Sequence, residues 1–159
     1  MKSWLICVAT LLLLPLLALA AYDVCVFQPA RLDMRIAIAH APAADRVPSP
    51  GFAAQLQMQT PDLVPYSTRL LMRQVDFSTS RYWGLHYFLW SQLNALHLSD
   101  DERLAIIASQ GFPAPYGPDL VHASQCAFGE QPDQLDSSDM TALVWLIRDG
   151  ARQKTCPHA

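Results

Sequence analysis

Four residues near the C-terminus have the types and spacing of either a metal chelate or a cystine. His122 and Cys126 are four positions apart, and Cys156 and His158 form a second pair. As two thiolates and two imidazoles they would hold zinc tetrahedrally. Cys-Pro-His is not the spacing of a standard zinc knuckle, however, and in an exported chain neighbouring thiols oxidise more readily than they collect metal. The expectation is therefore a structural disulfide between Cys126 and Cys156, with no metal and no cofactor. Among the three pairings open to Cys25, Cys126 and Cys156 it closes the shortest loop, and loop-closure entropy puts its contribution at about 3 to 4 kcal/mol. Cys25 is left over, buried and inert or bonded to a second chain. His86 and His97 make no chelate, because eleven residues along one helix span about 16 Å.

Catalytic patterns are sparse. The chain has no Cys-x-x-Cys, Gly-x-Ser-x-Gly, His-Glu-x-x-His or phosphate-cradling glycine loop. A Cys-His nucleophile would need Cys25 free and activated by its surroundings. Asp100, Asp101 and Glu102 have the spacing of a helix start, which accounts for them without acid-base chemistry. A non-enzyme is the preferred reading, and a small secreted enzyme is the alternative.

The aromatic residues point to recognition. Tyr82, Trp83, Tyr87, Phe88 and Trp90 fall within nine positions. Rigid aromatic side chains are favoured both in cores and at the hot centres of interfaces. Trp83, Tyr87 and Trp90, with Phe112, Tyr116 and Phe128 on a proline-rich stretch, are the candidate binding residues. Loops stiffened by prolines and a disulfide lose less entropy on binding. That suits an exported protein-binding domain of the inhibitor, immunity or assembly-subunit type, acting by noncovalent contact. A structural subunit of a membrane-associated complex is a further alternative.

The N-terminus gives the address. Lys2 precedes an uncharged run from position 5 to 21, closed by small residues at Ala18 and Ala20. This is the pattern of a secretory signal peptide over residues 1–20 with cleavage before Ala21, leaving one domain over 21–159 in the periplasm or outside the cell. Seventeen apolar or small residues also reach the lower limit of a membrane span, so an uncleaved anchor is the alternative. Without Lys2, ten basic side chains face fourteen acidic ones, a formal charge of −4. The bases are scattered, which excludes nucleic acid as a partner. Another exported or membrane protein is the expected partner, with peripheral membrane contact as an addition. Only 16% of the residues are charged, few enough that part of the surface is expected to be covered.

The elements that must position these residues are mainly helical, with α+β as the alternative. Between 24 and 39, apolar Leu32, Met34, Ile36 and Ile38 alternate with Arg31, Asp33, Arg35 and Ala37. This period of two, broken by Pro29, predicts a short N-terminal β-hairpin. Prolines punctuate 41–65, leaving a short helix at about 52–59 and two turns at 67–75. The strongest helix covers 82–98, with Tyr82, Leu85, Leu89, Leu93 and Leu96 expected inward and Gly84 allowing another element close. Ser99 and Glu102 form a capping box for the next helix, ended by Gly111. Residues 112–136 read as a long proline-rich loop, and a third principal helix starts at about Asp136.

Overall fold

The computed structural model of the protein describes residues 13–75, 77, 80–113 and 116–149. Every regular element among the described residues is a helix: α1 (Leu13–His40), α2 (Ala43–Arg46), α3 (Pro50–Gln59), α4 (Val64–Met72), α5 (Trp83–His97), α6 (Asp100–Gln110), α7 (Leu120–Phe128) and α8 (Ser137–Asp149). Cys156 and His158 lie outside the described residues, as does the start of the apolar leader.

The expected β-hairpin is replaced by α1. Phe27, Ala30 and Met34 are buried and Ile38 is partly so, a stripe at spacings of three, four and four, whereas Leu32 and Ile36 face outward. Met34 and Ile38 satisfy both a period of two and a helical period, so alternation alone could not separate them. Alanine, leucine, methionine and arginine also make the stretch a good helix former. Pro29 would normally break such a helix, because it lacks an N–H and its ring collides with the carbonyl four residues back. The turn before it is widened into a π turn over Asp23–Phe27, in which the Gln28 N–H donates to the Asp23 carbonyl. That extra residue in the turn lets α1 pass the proline unbroken.

Local capping sets the boundaries of the other helices. Ser49 accepts from the Phe52 N–H at the start of α3, with Pro50 in the first turn. The capping box of α6 forms as its sequence predicts, with Ser99 and Glu102 each bonding the other's backbone N–H. The stretch 112–136 is not one loop, because it contains α7. Asp119 caps that helix through the His122 N–H, and Gly129 ends it in the left-handed region at φ 75°. The surrounding prolines mask these two signals in the sequence.

The core gathers Phe27, Phe52, Leu71, Trp90, Ile107, Leu120 and Leu143 from seven helices. At its centre α5 packs against α4, and α4 against α6. A fully buried polar residue, Asn94, joins all three. Its amide donates to Ser67 Oγ at 2.8 Å and Thr68 Oγ1 at 2.9 Å on α4, and its carbonyl oxygen accepts from Arg103 Nε on α6 at 3.1 Å. Arg103 is itself buried. It donates through Nη2 to the carbonyls of Asn94 and Ala95, and through Nη1 to Asp100. A cation thus closes the C-terminal end of α5, where helix carbonyls lack internal partners.

This network decides which face of α5 points inward. Trp90, Leu93 and Asn94 are buried, whereas Tyr82, Leu85 and Leu96 are 65%, 56% and 76% exposed, so of the expected stripe Leu93 is fully inward and its two ends are not. The helix is apolar almost all round, so hydrophobicity leaves its rotation undetermined and the hydrogen bonds of Asn94 set it. Gly84 likewise meets no neighbouring atom and stands exposed. Replacing Asn94 with Ala should lower stability by about 2 to 4 kcal/mol in urea unfolding, since it strands Ser67, Thr68 and Arg103 in the interior. A loss below about 0.5 kcal/mol would show that the network is dispensable. Gly84→Ala should instead raise the urea midpoint, by about 0.5 to 1 kcal/mol of helix propensity.

Candidate binding surface

The predicted aromatic residues separate into two groups. Trp90, Phe112 and Tyr116 belong to the core, where Phe112 packs on Phe52 and Trp90 meets Phe27 edge to face. Phe128 is partly buried on α7. Trp83 and Tyr87 stack one helical turn apart, with ring centres 5.3 Å apart, and Trp83 is about half exposed. Tyr82 is exposed just before them, giving α5 an uncovered aromatic face, and Leu85 and Phe88 are exposed on its far side. Cys25 is a free, exposed thiol on α1, contrary to the expected burial. Cys126 is buried on α7, and its expected partner Cys156 lies outside the described residues.

The base of this face is tied to α1. Tyr22 Oη donates to or accepts from His86 Nδ1 at 2.7 Å and accepts from Trp90 Nε1 at 2.8 Å. His97 Nε2 lies 2.9 Å from Asp23 Oδ2. Phe27 packs against both Trp90 and His97. Tyr22 meets His86 and Trp90 while the adjacent Asp23 meets His97, so residues 22–27 of α1 cross the middle of α5 rather than running along it. Beyond Tyr22 toward the N-terminus, α1 leaves the body: Leu13, Leu14, Leu16, Leu17 and Leu19 are all exposed. By length and composition α1 is able to cross a membrane, and a signal sequence has the same character.

A second feature lies further along α1. A cavity of about 270 Å³ opens against α6, with Met34, Ile38 and Ile106 on its apolar wall and Arg31, Arg35 and Arg46 at its edge. Glu102 holds two of these arginines, at 3.3 Å from Arg31 Nη2 and 3.1 Å from Arg35 Nε. Burial raises the Glu102 carboxyl, but the hydrogen bond from Arg35, the Ser99 N–H and the charges of Arg35 and Arg31 outweigh it, leaving its pKa below the ordinary value. Arg46 is exposed and makes no ion pair among the described residues. Arg31 Nε is buried without a hydrogen-bond partner among them. The groove therefore offers apolar contact bordered by cationic groups that retain donors.

A third feature, which sequence reasoning missed, is a carboxylate pair beneath α7. Asp119 holds the exposed His122 ring through Nδ1 at 2.7 Å while also capping the helix. Asp45, completely buried, accepts from the Val121 N–H at 3.2 Å, and its second oxygen has no partner among the described residues. Burial pushes the Asp45 carboxyl up to about 6, and the neighbouring Asp119 charge adds to the rise. The N–H groups of Val121 and Leu120 and the His122 ring pull the other way. Asp119 does carry a helix-cap signal in Asp-Leu-Val-His, masked by the nearby prolines, whereas nothing local marks Asp45. No group of three or more metal-ligating side chains occurs among the described residues.

In comparisons with known proteins, no family model matches the chain, and neither curated proteins nor solved structures give a match.

The folded carboxyl of Asp45 keeps its proton to about pH 6, whereas an unfolded one releases it near 3.8. Its contribution is fully present below the unfolded value and is lost as pH rises through about 6, a change on the order of 2 to 3 kcal/mol. Asp45→Asn keeps an acceptor for Val121 and removes the charge, so it should stabilise the protein at about pH 7.5 and be near neutral at about pH 4. Urea unfolding of both proteins across this range checks it. A variant no more stable than the parent at the higher pH would show that the carboxylate is not strained.

Proposed function

We propose that this chain is a non-catalytic binding domain held at a membrane by its own N-terminal helix, where it engages another exported or membrane protein. The carrying observation is that α1 passes unbroken from an exposed leucine surface into the core. Its exit is fixed by the Tyr22 and Asp23 contacts to α5. A leader that is simply discarded needs no continuation into the fold, whereas an anchor gains orientation from one. The groove between α1 and α6 is the protein-binding site of this reading. Met34 lies twelve residues beyond Tyr22, about 18 Å along the helix, which holds the groove clear of the membrane surface. Its apolar wall and arginine edge suit a peptide segment carrying both hydrophobic and acidic side chains.

The disulfide between Cys126 and Cys156 belongs to the same proposal. Cys126 is buried on α7, which packs against α8, so a bridge from there would fasten the chain that follows α8.

Intact mass of the protein from isolated membranes, with thiol labelling under denaturing conditions, tests both parts. The expected result is a full-length chain with Cys7 and Cys25 labelled before reduction and all four cysteines after it. A soluble chain starting at Ala21 would overturn the anchor, and labelling of Cys126 without reductant would overturn the bridge. For the groove, a photoreactive residue at Ile38 should give one discrete protein adduct, suppressed by Arg46→Glu; an adduct unchanged by that substitution would sink the assignment.

A further inference from the structure

We infer that the end of the domain from which the leucine-rich half of α1 emerges is a second membrane contact, built to receive the headgroups of anionic phospholipids. The inference rests on the membrane-held reading above and gives the tethered body a fixed face toward the bilayer.

Three elements bring their ends together here. Tyr22, where α1 leaves the body, hydrogen-bonds His86 near the start of α5. The C-terminal end of α4 joins them because α4 runs against α5: Asn94 near the end of α5 meets Ser67 and Thr68, while Phe77, beyond α4, meets His86 and Trp90. At this end an open hollow of about 480 Å³ is lined by Arg69, Arg73, Phe77 and Trp83 among others. Arg69, Arg73 and Arg81 are exposed and make no ion pair among the described residues. Tyr82 stands uncovered at the start of α5, next to Trp83.

Each component matches one layer of a bilayer. Exposed leucines on α1 suit the hydrocarbon, and tryptophan and tyrosine are favoured at the depth of the headgroups. Arginine binds phosphate through paired donors, and each basic residue near an anionic surface adds about 1 kcal/mol, or roughly a five-fold gain in binding. The occupant is a lipid surface rather than a second protein because the patch is continuous with the part of α1 that fits the membrane. The groove on the far part of α1 is left free for a partner.

The test uses the full chain in lipid nanodiscs, either phosphatidylcholine alone or a mixture with phosphatidylglycerol, with brominated lipid as quencher. Trp83 fluorescence is isolated by subtracting the Trp83→Phe protein. Trp83 should be quenched in the anionic discs and much less in the neutral ones. Arg69→Gln and Arg73→Gln should each lower the docked fraction roughly five-fold while the chain stays in the disc. Added inorganic phosphate should leave the quenching in place; displacement by it would assign the hollow to a soluble anion and overturn the lipid contact. A chain that stays in the disc with Trp83 unquenched, or quenched regardless of lipid charge or the arginines, overturns this inference alone. A chain not retained by either disc overturns the membrane-held reading and this inference with it.

Discussion

The arrangement of the body depends on one buried side chain whose hydrogen bonds cannot be met in any other rotation of its helix. Asn94 is fully enclosed, and every rotation of α5 that buries more of its apolar surface would leave that amide, and the Arg103 cation joined to it, without partners. An uncompensated buried amide or cation costs several kcal/mol, comparable with the gain from enclosing an extra leucine or two. Polar complementarity therefore overrides hydrophobic maximisation on α5. The uncovered Leu85, Phe88 and Leu96 follow from it, since the side that carries Asn94 inward carries those residues outward, whereas Trp83 shares the face of Asn94 and is exposed at the first turn of the helix.

The same balance explains what could be read from the chain. Capping signals are local, requiring only a few neighbouring residues, and Ser99 with Glu102 and the start near Asp136 were legible for that reason. The strength of the 82–98 helix was also legible, because it depends on composition over a long stretch. The rotation of that helix was not, because the partners of Asn94 lie 26 and 27 residues away on α4. The N-terminal segment failed differently: Met34 and Ile38 fit two periodicities, and Pro29 looked like a break when a widened turn accommodates it. Of the candidate site, the aromatic density around Trp83 was readable, but the separation of exposed Trp83 from buried Trp90, Phe112 and Tyr116 is a matter of burial. The groove and the Asp45 cluster assemble across helices far apart in sequence, beyond any spacing rule.

Two kinds of polar burial coexist in the body. Around Asn94 the donors and acceptors are matched and serve architecture. Around Asp45 an oxygen is left over and burial favours the uncharged carboxyl, beneath a helix whose exposed histidine is held by Asp119. The second site lies on α2 and α7 rather than at the α4–α5–α6 junction, and a change of protonation there reaches the junction through the packing of α2 on α6.

The widened turn of α1 has a geometric consequence for the whole molecule. A π turn takes in one residue beyond the ordinary helical repeat, so everything on its N-terminal side is rotated by about 100° about the helix axis relative to an uninterrupted helix. Asp23–Phe27 stands between the leucine surface and the buried stripe of Phe27, Ala30 and Met34. It therefore acts as a fixed phase offset between the exposed leucine surface and the buried stripe. The azimuth of that surface relative to the body is written in the length of that single turn.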